Sequence, residues 1–254
     1  METKTISSRK TAFVTGATEG LGAAIAVGLA RDGFDVAVAD LNSDTLKNTV
    51  TQIEAAGRQA VAVALDLRSQ PSIVDAMSKV VSVWGHLDVL VNNAGVALRK
   101  PALDVTPAEW QAVMDVNLSG TFFMSQQMGR HLVGRKRPGC IISLASTHGV
   151  VGLAERSTYG ISKAAIMHMT RMLAVEWAAH EIRVNAIAPG TVETPSRARV
   201  LADPKVREAM INRVPLRRLC TAEEVAGMAR YLASPQAAYI TGQTMLLDGG
   251  LTSY

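Results

Sequence analysis

Cysteine, aromatic side chains, uncompensated charge and long apolar runs are all scarce in this chain, and each scarcity closes off a class of protein. Cys140 and Cys220 are its two cysteines in 254 residues, too few for a disulfide framework or a four-ligand metal site. A reducing, cytoplasmic setting is the matching expectation, with no metal. The 26 Lys+Arg against 22 Asp+Glu leave a formal net charge of +4, and aromatics reach only 4%. The densest basic run, Arg135-Lys136-Arg137, leads into Pro138-Gly139 and reads as a solvated loop. A nucleic-acid footprint asks for a longer basic stripe, so no nucleic-acid partner is expected. No window holds about 18 apolar residues without a charge or glycine break, and Met1–Lys10 lacks an apolar core. Neither a membrane span nor a signal peptide is therefore expected.

What the chain does have is a repeated rhythm. Apolar residues make up 48%, and a chain this long buries roughly 70–75% of its unfolded surface, so no covalent staple is needed. Thr11–Thr15, Asp35–Ala39, Ala60–Leu65 and Leu87–Val91 are short apolar runs that predict strands buried on both faces. Cys140–Ala145, Arg183–Ile187 and Thr244–Leu247 continue the series. Helical periodicity fills the gaps near 20–32, 43–56, 69–84, 106–132, 157–179 and 222–233. Gly33, Gly57 and Gly85 stand where helices end. With no linker, repeat or low-complexity segment, one doubly wound α/β domain over 1–254 is the economical reading. The stretch 191–219 breaks the rhythm and fits a lid.

The first strand runs directly into Thr15-Gly16-Ala17-Thr18-Glu19-Gly20-Leu21-Gly22 and then a helix. Glycines allow a tight turn and close approach to a pyrophosphate, while the helix start offers free N–H groups and partial positive charge. Asp40 ends the second strand, where an acidic side chain accepts from an adenosine ribose and repels a 2′-phosphate. Asn42 or Ser43 would serve the following helix as a cap. NAD(H) is thus expected over NADP(H). Further along, Tyr159 and Lys163 are four residues apart and share one helix face, with Ser146 upstream. An ordinary tyrosine titrates near ~10, so acting as a base near neutrality demands roughly 3–4 kcal/mol in favour of the phenolate. A nearby ammonium and a cationic nicotinamide would supply it, while Ser146 would donate to the reacting oxygen.

With these motifs, Asn92-Asn93-Ala94-Gly95, Asn117, Pro189-Gly190-x-x-x-Thr194 and Asp248-Gly249-Gly250, the whole chain resembles the short-chain dehydrogenase/reductase family. The resemblance implies a Rossmann-type, seven-stranded parallel sheet with helices on both faces, and a homotetramer packed through the helices of 106–132 and 157–179. It implies Tyr159 as general acid/base, Lys163 as the group lowering its pKa and holding the nicotinamide ribose, Ser146 polarising the substrate oxygen and Asn117 holding a relay water. It further implies a dinucleotide along Gly16, Thr18, Glu19, Gly20, Leu21 and Gly22. Asp66 and Leu67 would lie at the adenine, Asn93, Ala94 and Gly95 at the cofactor's bend, and Pro189, Gly190, Val192 and Thr194 near the carboxamide.

The expected activity is NAD(H)-dependent interconversion of a secondary alcohol and a ketone on a small sugar, polyol or hydroxy acid. A 3-oxoacyl thioester reductase is the alternative within the class, and a non-catalytic NAD(H)-binding regulator the alternative outside it. His148, Glu155 and Arg156, between Ser146 and Tyr159, are the candidate substrate contacts. Arg197, Arg199, Arg207, Arg213, Arg217 and Arg218 in the lid segment could pair with a substrate anion. Met167, Met169, Met172 and His168 read as packing residues, and His86 as part of a helix-to-strand turn.

Overall fold

A computed structural model describes residues 9–253; most of the segment read above for a leader, Met1–Ser8, lies outside the described residues. The strands are β1 (Thr11–Thr15), β2 (Asp35–Asp40), β3 (Ala60–Ala64), β4 (Val89–Asn92), β5 (Gly139–Leu144), β6 (Ile182–Pro189) and β7 (Thr244–Leu247). All seven form one parallel sheet in the order β3-β2-β1-β4-β5-β6-β7. Crossovers are made by α1 (Gly20–Arg31), α2 (Lys47–Ala55), α3 (Gln70–Trp84), α4 (Pro107–Met114), α5 (Thr121–Arg135) and α6 (Ser157–Trp177). Short helices α7 (Ala198–Leu201) and α8 (Pro204–Asn212) precede α9 (Ala222–Ala233).

Strand alternation splits the core into two layers. Val14, Val36, Val38 and Ile142 pack with Ile25 and Leu29 of α1 and Val225 and Leu232 of α9 on one face. Phe13, Ala37, Leu90 and Ile141 pack with Val80 of α3, Met128 of α5 and Leu173 of α6 on the other. Helices therefore cover both faces. The chain winds outward in opposite directions from β1 and β4, and the crevice between their carboxyl ends is where such sheets bind ligands.

Three expectations need correction. β3 and β7 are not buried on both faces: they are the two sheet edges, with Ala60–Ala62 half-buried and Ala64 exposed in β3, and Leu246 exposed between half-buried neighbours in β7. The helical stretch expected over 106–132 is present without a break from Pro107 to Arg135, but it is not α-helical throughout: a π-helical turn at Asp115–Gly120 separates α4 from α5. There Thr121 Oγ1 donates to the Asn117 carbonyl (2.7 Å), and Gly120 lies so close to Leu67 that a Cβ would sit 2.6 Å from Leu67 Cβ. Such single-turn bulges re-aim a side chain within a helix. Finally, the stretch 191–219 that breaks the apolar rhythm is not plain loop, since a single 3-10 turn at Pro195–Arg197, α7 and α8 occupy much of it.

Candidate active site

The loops after the strands converge on one rim. Gly16 turns at φ +66°, and a Cβ there would lie 2.7 Å from Ala94 Cα. A Cβ on Gly22 would collide with the Gly16 carbonyl and approach Asn93 Nδ2 to 2.6 Å. Only glycine lets the two loops close this tightly. Helix α1 opens on Glu19, whose side chain makes no capping bond, and no acidic residue occupies its first turn. Its N–H groups and dipole are thus left for an external anion. Thr194 faces Gly20 across the crevice, 3.6 Å from the place a Cβ would take. A cradle of free amides walled by small residues fits a dinucleotide pyrophosphate.

Asn42, not Asp40, caps the turn after β2, accepting from Asp44 N (2.9 Å). Asp40 is therefore released from that task. One of its oxygens accepts from Thr18 Oγ1 (2.8 Å) and the other from Leu41 N (2.8 Å), so it is held beside the glycine turn with lone pairs to spare. Two implied contacts are engaged elsewhere. Asn93 Nδ2 donates to the carbonyls of Thr15 (3.0 Å) and Gly16 (2.8 Å), stapling β4 to the turn. Asp66 accepts two side-chain bonds from Arg68, at 2.9 and 2.7 Å, and this guanidinium holds its carboxyl below the usual range. Leu67 and Val192 are buried, Val192 bridging in parallel to Cys220.

The reacting groups lie at the carboxyl end of β5. Ser146, Tyr159 and Lys163 come together as the spacing predicts. His148 N donates to Ser146 Oγ (3.2 Å), and the Lys163 ammonium lies 5.7 Å from the Tyr159 ring centroid. Lys163 Nζ donates to the Leu144 carbonyl at 2.6 Å. It is buried with no carboxylate partner among the described residues, and desolvation lowers its pKa to about 8. The expectation of a lowered tyrosine pKa is corrected for the chain alone. Burial pushes the Tyr159 phenol up, and the opposing influences are hydrogen bonding from Ser146 and the charges of Arg197 and Arg156.

Asn117 is fixed by Val96 and Ser162. Its Oδ1 accepts from Val96 N (2.8 Å), and its Nδ2 donates to Val96 O (2.9 Å) and Ser162 Oγ (3.0 Å). Ser162 in turn donates to the Tyr159 carbonyl (2.7 Å). Sequence reasoning passed over Ser162; its side chain lies beneath the site, and a serine on a helix carries no signal of that. Gly95 keeps the gap open, since a Cβ there would meet Asn117 Oδ1 at 3.2 Å and Lys163 Nζ at 3.5 Å.

A cleft of about 110 Å³ opens at Tyr159, lined also by His148, Arg156, Arg197, Met210 and Arg213. The His148 ring packs edge-on against Tyr159 with centroids 5.9 Å apart, and its buried Nδ1 has no hydrogen-bond partner among the described residues. Burial, with the charges of Arg156, Arg197 and Arg213, holds His148 below the usual histidine range. Glu155 is not in this wall. At φ +63° it turns outward to pair with Arg99 (2.6 Å). Arg207 pairs with Glu193, Arg218 with Glu224, and Arg217 donates to the Asn212 carbonyl (2.8 Å); like Arg199, none of them lines the cleft.

Comparison with known proteins places this geometry. Residues 16–252 match the family model described as enoyl-(acyl carrier protein) reductase. The 3β-hydroxysteroid dehydrogenase 1 of Eggerthella lenta is 42% identical over 96% of this chain and 94% of its own. The 2-dehydro-3-deoxy-D-gluconate 5-dehydrogenase of Escherichia coli is 36% identical over 95% and 94%. A candidate NAD(P)-dependent gluconate 5-dehydrogenase from Beutenbergia cavernae, solved with NADP at low occupancy, superposes with a TM-score of 0.90 at 36% identity, over 96% of this chain and 97% of that one. The chain belongs to the short-chain dehydrogenase/reductase family. It is an oxidoreductase acting on CH–OH groups with a nicotinamide dinucleotide.

Proposed function

We propose that this enzyme uses NAD(H) in preference to NADP(H) to interconvert a secondary alcohol and a ketone on a short polar substrate such as a sugar, polyol or hydroxy acid. The observation that carries the reading is the convergence of Ser146, Tyr159 and Lys163 beside an uncapped helix start and a glycine cradle. When bound, the nicotinamide supplies the two-electron acceptor or donor. The chain's own groups do the rest. Ser146 Oγ donates to the substrate oxygen, and Tyr159 Oη takes the hydroxyl proton in oxidation or returns it in reduction. Lys163 keeps one donor on Leu144 O and has two left for the nicotinamide ribose and the proton path. Asn117, held by Val96 and Ser162, fixes the far end of that path. Asp40 meets the adenosine ribose, Asp66 and Leu67 the adenine, and Val192 and Thr194 the carboxamide. Asn93 acts by tying the turn in shape.

Asp40 supports the NAD(H) preference because its carboxylate stands where a 2′-phosphate would be repelled. A cleft of about 110 Å³, well under the ~300 Å³ of common ligand pockets, favours a short substrate over a 3-oxoacyl chain. Trp110, Phe122, Phe123, Met172 and Val175 are exposed on α4, α5 and α6, which supports a homotetramer packed through those helices. A cytoplasmic site accords with the absence, among the described residues, of a helix able to cross a membrane.

Nicotinamide absorbance with a panel of alcohols and ketones and both cofactors tests the reading. We expect catalytic efficiency at least ~10-fold higher with NAD(H), worth ~1.4 kcal/mol, and a narrowed preference in Asp40→Ala. Equal efficiency with NADP(H) in the unmodified enzyme would overturn the cofactor assignment.

A further inference from the structure

The turn that follows β7 is built to touch the lid. Asp248 spends both carboxylate oxygens on the residues behind it. One accepts from Gly250 N (2.9 Å), the other from Thr252 N (2.9 Å) and Thr252 Oγ1 (2.7 Å), bonds that fix a tight turn. Gly249 and Gly250 then stand at φ +63° and +89°, a left-handed pair that residues with a Cβ resist. Each also abuts the end of the lid. A Cβ on Gly249 would lie 2.6 Å from Val214 Cγ1, and one on Gly250 2.9 Å from Pro215 Cγ. Leu216 N donates to the Gly249 carbonyl (3.1 Å), and Val214 is buried. On its other side the turn meets the loop after β6. Gly190 N donates to the Leu247 carbonyl (3.1 Å), and a Cβ on Gly190 would come within 3.3 Å of Asp248 Cα. The turn is thus wedged between the start and the end of the lid segment. Leu251 follows, its N–H donating to the Asp248 carbonyl (3.2 Å), and lines the cleft at Tyr159 together with Met210 of α8. One apolar residue of the tail and one of the lid therefore wall the same space, and the contact of Gly249 and Gly250 with Val214 and Pro215 keeps tail and lid together.

We propose that Leu251 is a specificity-determining residue that sets, with Met210, how long a chain the substrate carries beyond its carbinol, and that Asp248-Gly249-Gly250 is the seat holding the lid against it. This inference rests on the reading of that cleft as the substrate site, and it gives the small volume of about 110 Å³ a cause. A packed apolar wall discriminates by ~10–200-fold for one methylene, so a single leucine suffices to end the tolerated series. Shortening Leu251 admits longer homologues, while the shortest substrates lose one contact. Any side chain at Gly250 presses on Pro215 and lifts the lid from its seat.

The test uses the whole enzyme with NAD+ and homologous series lengthened carbon by carbon from 3-hydroxybutyrate, from 1,2-propanediol and from whichever secondary alcohol the parent turns over best. Nicotinamide absorbance gives kcat and KM. In the parent, kcat/KM should fall steeply beyond a short chain. Leu251→Ala should raise kcat/KM for the first excluded homologues by ~10–100-fold, chiefly through KM, and Leu251→Phe should move the limit to shorter chains. The NAD+ dissociation constant should stay at the parent value in both. Gly250→Ala is compared with Gly57→Ala, which shares a positive φ of +73° but whose Cβ would meet nothing within 4 Å. Amide hydrogen exchange over 210–216 should quicken ~10-fold in the first and keep the parent rate in the second. A chain-length profile unchanged in both Leu251 variants overturns the size limit and spares the reading of the cleft. Exchange in Gly250→Ala no faster than in Gly57→Ala overturns the seat. A parent that turns over no secondary alcohol at all overturns the reading of the cleft and the size limit with it, and the exchange comparison still decides the seat.

Discussion

The two ends of the sheet make a sharp contrast. At the amino ends of the strands lies the larger cavity, about 510 Å³, lined by Arg9, Lys10, His86, Asp88, Arg137 and Arg183 among others. Its polar groups are matched. Asp88 accepts from Thr11 N (2.9 Å) and pairs with Arg137 (3.2 Å), His86 faces the Trp84 and Arg9 carbonyls, and Arg183 reaches the Leu232 carbonyl (2.7 Å). At the carboxyl ends the cleft is smaller, about 110 Å³, yet Lys163 is buried at this end with no carboxylate partner among the described residues, and the cleft wall includes His148, whose Nδ1 has no partner among the described residues. Volume misidentifies the active end, whereas unspent polar capacity locates it. Groups satisfied within the fold have nothing left to offer a ligand; groups left unsatisfied destabilise the fold and persist where a ligand completes them.

The largest expected effect comes from the active end. Tyr159→Phe removes one hydroxyl and keeps the ring that packs on His148. Turnover should fall by ~10²–10⁴, the scale of a positioned acid/base, while dinucleotide affinity and thermal stability stay near those of the parent. Steady-state kinetics with a dinucleotide titration checks this, and turnover within a few-fold of the parent would assign the proton transfer to another group.

Lys163 sharpens the contrast through stability. Its pKa is about 8 folded and ~10.4 in an unfolded chain. Below pH 8 both states are protonated and the folded protein bears the full cost of a buried ammonium. Between pH 8 and ~10.4 the unfolded state binds more protons, so the parent gains stability as pH rises. Lys163→Met removes the ammonium and should abolish activity while stabilising the fold at neutral pH, by at most ~3 kcal/mol from the size of the shift less ~1 kcal/mol for the lost bond to Leu144. Denaturant unfolding from pH 7 to 10.5 should show the gap closing as pH climbs. A gap independent of pH would mean that the ammonium bears no folding cost.

Much of this was legible from residue order. β1, β7 and α9 begin and end where the apolar pattern places them; β1 is buried throughout because helices cover both its faces, whereas β7, the other sheet edge, is only half-buried, with Leu246 exposed. The glycine turn and the Tyr159–Lys163 spacing were equally plain, being backbone and helix-face requirements. β3 misled because its Ala-Val run is that of an interior strand, and its edge position depends on what does not pair with it. The π-helical turn was hidden since one extra residue leaves the apolar pattern of α4 and α5 intact. Nor could the lid arginines be sorted from sequence. Arg218 is claimed by Glu224, which is itself fixed by the Thr221 capping box of α9, and Glu193 reaches Arg207 across fourteen residues. Which guanidiniums line the cleft follows only once those neighbours are placed.

The smallest expected effect belongs to the amino end and tests whether that end is purely structural. Asp88 offers one oxygen to Thr11 N and, at 3.3 Å, to Thr11 Oγ1, and the other to Arg137. Asp88→Asn keeps the shape but turns one acceptor into a donor. Either the start of β1 or the Arg137 guanidinium then faces an N–H₂ group, at a cost of ~1–3 kcal/mol for the mispaired bond. For a chain of this size each ~1 kcal/mol lowers the melting temperature by roughly 2–4 °C. The catalytic end lies at the opposite termini of the same strands, and β1 and β4 are joined by ladder bonds that survive the change. Accordingly kcat/KM at 25 °C should be unaltered while the melting temperature falls. A loss of kcat/KM with the fold intact would show that the amino-end network sets the position of the active-site loops, and the division between a satisfied end and a reactive end would have to be abandoned.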